Sequence, residues 1–447
     1  MIELRDYQRG AVEAGLDAFK RGRNGIIVAP TASGKSLILN AIARQLEGNT
    51  IIFQPTREIL IQNLERAAEF GITDIGVFSA SVGQKDIGKV TLATIGSIYN
   101  RRELWGTFSN VIIDECHFVN SKAGMYKEFI DAHGGNVLGL TATPYRTRSF
   151  NNHKTGQRSV VCQFLTRTKP KIFNELSYVI QIKDLYDEGF LCPLKYTINE
   201  RYFPKDIKLN STGLDFDDQA LMSYNSKLNI LGVIESFIKD KGKRHILVFN
   251  KFIQEAETLT ARLKMLGITA AIVTGETPSK ERKVILESFK TGQIRVVCNV
   301  GVLTVGFDFP ALDTVILGRP TMSVNLLYQM IGRVMRTYPG KEYAEVVDIC
   351  GNIRRFGRVE AFQVVSDPDS GLDRLRGEFG WLTGVDFITG QSVEYKPVAG
   401  EMVTFGKYNG TKIKDVPSGY LQWGAENLKG VWQKKFHEEL SRRKLSP

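Results

Sequence analysis

Short apolar runs recur along the first half of the chain, each followed by a Gly/Thr/Pro-rich turn and then a helical stretch. They lie at residues 25–29, 50–53, 90–93, 111–113 and 136–140. Their apolarity is continuous rather than alternating, which marks strands buried on both faces and hence a parallel sheet covered by helices. A second series follows at 245–249, 270–273, 294–298, 314–317 and 345–349. The pattern predicts an α/β chain with two parallel-sheet domains in tandem. A polar stretch at 196–213 reads as the linker between them, and the turn formers of 365–371 mark another boundary. Beyond it the apolar runs stop, leaving a small third module or a partly folded tail. The expected domains are 1–195, 196–365 and 366–447.

Size agrees with this division, because 447 residues exceed what one ordinary core fills. With 43% hydrophobic and 24% charged residues, disorder and membrane spans are excluded as classes. The first residues are charged at once and contain no apolar stretch of the signal-peptide kind. The five cysteines lie far apart with no metal-ligand spacing, so reduced thiols in a cytoplasmic compartment are expected and structural zinc is not. Lys+Arg 59 against Asp+Glu 48 leaves a net charge of +11. That excess makes polyanions the first class of partner.

Pro30-Thr31-Ala32-Ser33-Gly34-Lys35-Ser36 fits a P-loop with Ala29 at its first glycine position. It follows an apolar strand and opens an amphipathic helix, the context this pattern requires. Backbone N–H groups of such a loop cradle phosphate oxygens. Lys35 would place its charge on the β- and γ-phosphates, and the Ser36 hydroxyl would ligate Mg²⁺. ATP and Mg²⁺ are therefore the expected ligands.

Residues 111–113 form an apolar strand that ends in Asp114 and Glu115. If the chain stays extended, the two carboxylates point to opposite sides. One, Asp114, then serves the Mg²⁺ shell while Glu115 polarises the attacking water. Residues 323–338 read as one helix with Leu327, Met330, Ile331 and Val334 on its apolar side. Gln329, Arg333 and Arg336 share the other face. Two arginines on one stripe fit a solvated basic face, and equally fingers that reach the γ-phosphate from a second domain. Ahead of them, Gly306 and Asp308 end an apolar segment where a carboxylate could meet ribose or an arginine.

In this order the residues resemble a superfamily 2 helicase of the DECH, ResIII-like type, over about residues 4–336. Arg5, Tyr7 and Gln8 resemble the Q motif, which implies that Gln8 reads the adenine edge. Pro55-Thr56-Arg57 and Thr94, Gly96 and Ser97 resemble the motifs that grip a nucleic-acid backbone. Asp114-Glu115-Cys116-His117 resembles motif II, and Thr141-Ala142-Thr143-Pro144 motif III. The resemblance assigns His117, Thr141 and Thr143 to coupling hydrolysis with domain movement. Asn250 and Lys251 resemble motif IV, the run from Asn299 through Thr304 to Asp308 motif V, and Gln329 to Arg336 motif VI. The family implies two RecA-like domains, ATP in the cleft between them and nucleic acid across both.

The likeness is closest to phage branch-migration and fork-remodelling DNA helicases of the UvsW type, which would place a phage-encoded protein in the host cytoplasm. The expected partner is forked, branched or single-stranded DNA, acted on by a monomer in replication or recombination. The Q motif starts near residue 4, so branch recognition is expected from insertions or from the C-terminal module. One candidate is residues 132–174, which contain no acid and carry Arg146, Arg148, Lys154, Arg158, Arg167, Lys169 and Lys171. The other is the aromatic- and lysine-bearing stretch 403–423, which resembles a module appended to some exonucleases. Its aromatics suit base stacking and also suit the core of so small a unit. A double-strand translocase, an RNA helicase and a nucleotide-gated clamp are the competing readings.

Overall fold

The computed structural model describes residues 3–151, 158–204, 207–239, 245–304, 306–367, 372–391, 403, 408, 413, 416–428 and 431–444. Strands β1 (Gly25–Val28), β2 (Thr50–Phe53), β3 (Ile75–Ser79), β4 (Gln84–Lys85), β5 (Val90–Ala93), β6 (Asn110–Asp114) and β7 (Val137–Thr141) lead into a hairpin. The hairpin strands are β8 (Tyr145–Asn151) and β9 (Arg158–Phe164), and β10 (Glu175–Val179) follows. Eight of these form one sheet in the order β10-β1-β7-β6-β2-β5-β3-β4, parallel except at the β3–β4 edge.

A second sheet is built from β11 (Leu194–Ile198), β12 (Ile246–Asn250), β13 (Ala270–Val273), β14 (Val296–Asn299), β15 (Thr314–Gly318) and β16 (Ala344–Asp348). Its order is β11-β16-β15-β12-β14-β13, parallel throughout. The fold is the expected tandem of parallel α/β domains. The central strands β1, β2, β5 and β7 are entirely buried, and β6 is buried from Val111 onward, which is why continuous apolar runs encode them. In register, Val28 lies beside Thr141 and Asp114 beside Leu140, so three carboxyl ends converge on one crevice. Such a crevice is where open α/β sheets bind ligands.

Three sequence readings are corrected. The segment 196–213 is not wholly linker, because β11 pairs with β16 and Leu209 bridges Phe216. The helix expected over 323–338 is Val324–Gly332 only. The Met335 carbonyl accepts from Cys192 N at 2.9 Å and Leu191 bridges Arg336, so tertiary pairing draws the chain out of the helix. Finally, the last module, expected as 366–447, does not include residues 374–390. One compact unit comprises Met1–Val365 with Arg374–Gly390, and the other Ser366–Asp373 with Gln391–Pro447. Residues 374–390 belong with the first because Val160 N donates to Asp386 Oδ1 at 2.9 Å and Arg355 donates to the Phe387 carbonyl at 2.9 Å.

The hairpin β8–β9 accounts for much of the acid-free block. Ser149 Oγ donates to the Thr212 carbonyl at 2.7 Å and Arg158 to the Ser211 carbonyl at 3.0 Å, tying the hairpin to the start of the second domain. Lys154 lies outside the described residues. In the smaller unit, helices Ser418–Asn427 and Val431–Lys444 enclose a core of Val403, Ile413, Val416, Leu421, Ala425 and Phe436. Tyr408, Tyr420 and Trp423 adjoin in a chain of rings 4.7 and 5.2 Å apart, and Trp423 is 47% exposed. Of the stretch 403–410, only Val403 and Tyr408 are described.

The five cysteines are buried and free. Among the described residues no cluster of three or more His, Cys, Asp or Glu could hold a metal, and no helix is long and apolar enough to cross a membrane.

Candidate active site

Strand β1 ends in the loop Pro30–Gly34, and the helix Lys35–Gln45 begins directly after it. Gly34 adopts φ +79°, a conformation that favours glycine. A Cβ there would also meet Gln8 Nε2 at 2.4 Å, so the turn is tight on both counts. Gln8 Nε2 donates to the Ser33 carbonyl at 2.9 Å, the Tyr7 hydroxyl donates to the same oxygen at 3.2 Å, and Gln8 Oε1 accepts from Arg5 N at 3.0 Å. The expected adenine-reading residues thus lie against the P-loop, with the Gln8 carboxamide engaged within the chain. The Arg5 guanidinium sits 3.6 Å over the Phe190 ring.

Glu115 overturns the picture of two carboxylates on opposite sides of a strand. Its backbone is left-handed, φ 50° and ψ 50°, so β6 stops at Asp114 and a short 3₁₀ turn begins. Both carboxylates therefore reach the same ammonium: Lys35 Nζ lies 3.2 Å from Asp114 Oδ1 and is ion-paired with Glu115. Burial disfavours the Lys35 ammonium, but the two carboxylates outweigh it and raise its pKa. Burial also opposes ionisation of Glu115, yet Lys35 and His117 hold its carboxyl well below the usual range. Asp114 is pushed up, chiefly by burial, with Lys35 opposing.

His117 is the junction of this site. Its Nδ1 lies 2.8 Å from Thr141 Oγ1, 3.3 Å from Thr143 Oγ1 and 3.2 Å from Glu115 Oε2. On the other side, Nε2 lies 3.1 Å from the Gln329 amide of the second domain. The helix Val324–Gly332 also touches the P-loop directly, since Thr31 N donates to the Tyr328 hydroxyl at 2.9 Å. Arg333 Nη1 donates to the Phe307 carbonyl at 2.6 Å, and Arg336 is ion-paired with Asp308. Among the described residues no carboxylate forms such a pair with Arg333. Burial lowers its pKa, and the Glu115 carboxylate works against that.

A sequence model described as type III restriction enzyme, res subunit, matches residues 1–146, and one described as helicase conserved C-terminal domain matches 227–338. The chain belongs to the superfamily 2 helicases, in their DECH, ResIII-like group. It is 26% identical over 375 residues to a putative ATP-dependent helicase, IRC3, of Saccharomyces cerevisiae, covering 78% of this chain and 51% of the yeast protein. The chain thus spans about half the length of that relative. It is also 26% identical to the DNA 3'-5' translocase XPB2 of Sulfurisphaera tokodaii, covering 75% of this chain and 79% of the relative. A fragment of a putative HsdR subunit of a type I restriction enzyme from Vibrio vulnificus YJ016 shares the fold. Its TM-score is 0.58 at 18% identity, covering 79% of this chain and 66% of that one.

The superfamily 2 group uses ATP with Mg²⁺, and the residues fit both. The Ser33 hydroxyl is buried with no hydrogen-bond partner, an orphan that a phosphate oxygen would satisfy. Ser36 and Asp114 supply the hard oxygen donors that suit Mg²⁺. Held there, the ion would neutralise charge across the β- and γ-phosphates.

The residues expected to contact nucleic acid divide into two sets. Pro55, Thr56, Arg57, Thr94, Gly96 and Ser97 line a cleft of about 1220 Å³, faced by Thr304, Gly306, Asp308 and Gln329 from the second domain. Others lie outside that lining. Asn250 is buried with its amide unpartnered, and Lys251 Nζ sits 3.1 Å from Asp215 and 3.4 Å from Asp218. Asn299 Oδ1 accepts from Leu303 N at 3.0 Å and so shapes the motif V turn. Arg146 donates to the Val119 carbonyl at 2.9 Å, while Arg148 is 3.5 Å from Gln163.

Sequence reasoning missed Tyr328 and Phe190. A tyrosine on the apolar stripe of a buried helix needs a partner for its hydroxyl, and that was the available signal for Tyr328. Phe190 carries none. The Tyr328 contact is close: a Cβ on Gly332 would lie 2.8 Å from Thr31 Oγ1 and 3.3 Å from Thr31 Cβ. Gly332→Ala should wedge the helix off the P-loop and slow ATP turnover by roughly 10²-fold, the scale for displacing a catalytic group by about 1 Å. Steady-state ATPase beside a thermal melt checks this, and unchanged turnover would mean the two domains separate freely at this point.

Proposed function

We propose that the protein is an ATP-driven DNA motor, a helicase acting on forked or branched DNA. The observation that carries this reading is the His117–Gln329 contact. It joins Glu115, one of the carboxylates that face Lys35, to Gln329 of the second domain, and Gln329 also lines the cleft that holds the proposed backbone-gripping residues. A nucleotide held at Lys35 is thereby linked to the separation of the two domains that line the cleft. Alternating tight and loose grips on a strand would convert hydrolysis into movement.

The UvsW-type assignment adds branch migration in replication or recombination, in a host cytoplasm if the protein is phage-encoded. The hairpin β8–β9 and the small C-terminal unit are the two regions proposed to engage the branch. A translocase that moves on duplex without parting strands is the second reading, favoured by the similarity to a protein named as a DNA 3'-5' translocase.

ATPase should rise on addition of DNA and fall steeply with salt, each phosphate contact adding about −0.7 to −0.9 to the slope of log K against log salt. The deciding experiment is strand displacement on a synthetic four-way junction and a fork, beside linear duplexes with 3′ or 5′ tails and an RNA duplex. Release of strands from the junction and fork supports the proposal. ATPase stimulated by blunt duplex with no strand release favours the translocase, and equal ATPase with and without nucleic acid removes the motor altogether.

A further inference from the structure

The left-handed Glu115 starts a single turn, Cys116–Phe118, that buries Cys116 and His117 and leaves Phe118 outside. Phe118 is 46% exposed. It lines the same cleft as Thr56, Arg57 and Arg101, with Thr304 and Gln329 across from it. Phe78, Leu303 and Phe307 also line the cleft but are themselves buried, so the Phe118 ring is a large apolar face left open beside the Thr56 hydroxyl, the Arg57 guanidinium and the Gln329 amide. Its chemistry suits a flat, apolar face presented by the ligand.

The ring is also mechanically connected. Its centroid lies 4.4 Å from that of His117, the planes inclined by 42°. That histidine is the group touching Thr141, Thr143, Glu115 and Gln329.

We infer that Phe118 is a nucleobase-binding residue: an unpaired base of the strand in the cleft stacks on its exposed face. This rests on the reading that the cleft takes nucleic acid, and it narrows the ligand to single-stranded segments, since a duplex keeps its base faces covered. Stacking on the outer face of Phe118 also holds the inner face against His117. The base thereby steadies the imidazole that links Glu115 to Gln329, so an occupied cleft favours the arrangement that hydrolyses ATP. Gripping only phosphates would give no such dependence on bases.

The test compares activation of the full chain's ATPase by oligo-dT and by an abasic strand of equal length, at one salt concentration. The unaltered protein should need about tenfold more abasic strand for half-maximal activation, within the range that one base–aromatic stack supplies. Phe118→Ala and Phe118→Leu should each raise the oligo-dT requirement about tenfold and bring the two strands to equal potency. Phe118→Tyr and Phe118→Trp should keep the preference for bases. Leu retains apolar bulk against His117 without a π face, so its loss of preference separates stacking from packing. Equal activation of the unaltered protein by the two strands, or a preference that survives Phe118→Leu, would overturn the inference and leave the motor reading standing. Failure of either strand to activate at all would sink that reading, and this inference with it.

Discussion

Arg333→Ala should turn ATP over roughly 10³-fold more slowly, the low end for a cation that stabilises phosphoryl transfer, while ATP binding changes far less. The reason is geometric. Arg333 caps the helix Val324–Gly332 that packs on the P-loop, its guanidinium is held by the Phe307 carbonyl, and among the described residues no carboxylate forms an ion pair with it. A half-buried cation with no ion-paired carboxylate is held at a cost, and a transferring phosphoryl group is the charge that would relieve it. Arg336 differs, because Asp308 already pairs with it. Its replacement should loosen the joint between motifs V and VI and lower turnover less than Arg333→Ala does. Turnover and nucleotide binding measured separately on both variants check the ranking. Near-normal ATPase for Arg333→Ala would remove the finger role.

Glu115→Gln should abolish steady-state hydrolysis to a similar or greater degree, since positioned general bases supply about 10²- to 10⁴-fold. The Lys35 and Thr141 contacts can persist through an amide of the same shape, and Asp114 and Ser36 remain as donors for Mg²⁺. Nucleotide should therefore stay bound and unhydrolysed. Because Lys35 and His117 hold the Glu115 carboxyl below the usual range, it stays ionised as pH falls through the values at which free carboxylates protonate. An acid limb of the ATPase in that range should therefore belong to another group, and Glu115→Gln should not be mimicked by mild acid. Retention of labelled ATP after gel filtration, with a single-turnover assay, tests the trap. Brisk hydrolysis by Glu115→Gln would place the water-polarising group elsewhere.

Both predictions concern residues that the motifs had already singled out, and the structure changed what each is expected to do. Periodicity placed Arg333 and Arg336 on one helix face. In the structure the helix ends at Gly332, and backbone pairing of Leu191 and Cys192 takes up the following residues. Apolar spacing continues through Val334, so no local signal marked the end. The carboxylates are a similar case. An extended strand end was the economical reading of 111–115, whereas a left-handed Glu115 turns both acids toward Lys35. The gain of two carboxylates on one buried ammonium comes from residues 79 and 80 positions away, which no local rule contains.

Among the strands, most of those in the middle of each sheet were legible, whereas the edge strands β10 and β11 were not. The strands β10 and β11 stand at sheet edges and are only half-buried, so their sequences, Glu-Leu-Ser-Tyr-Val and Leu-Lys-Tyr-Thr-Ile, lack the continuous apolarity of β1 or β6. Residues 374–390 were assigned to the last module by their turn-rich neighbours, whereas hydrogen bonds from Val160 and Arg355 hold them to the first compact unit.

By itself the sequence determined the two buried parallel sheets, the P-loop, and the order of the motifs. Each of these depends on burial pattern or on contiguous residues, and both survive in a one-dimensional string. Tertiary structure decided which arginine is ion-paired with a carboxylate, how the carboxylates meet Lys35, that Tyr328 and Gln329 touch the first domain, and that Phe118 lies open in the cleft. Those are properties of distances between residues far apart in the chain, set by how two sheets and their loops pack, and spacing along the chain does not carry them.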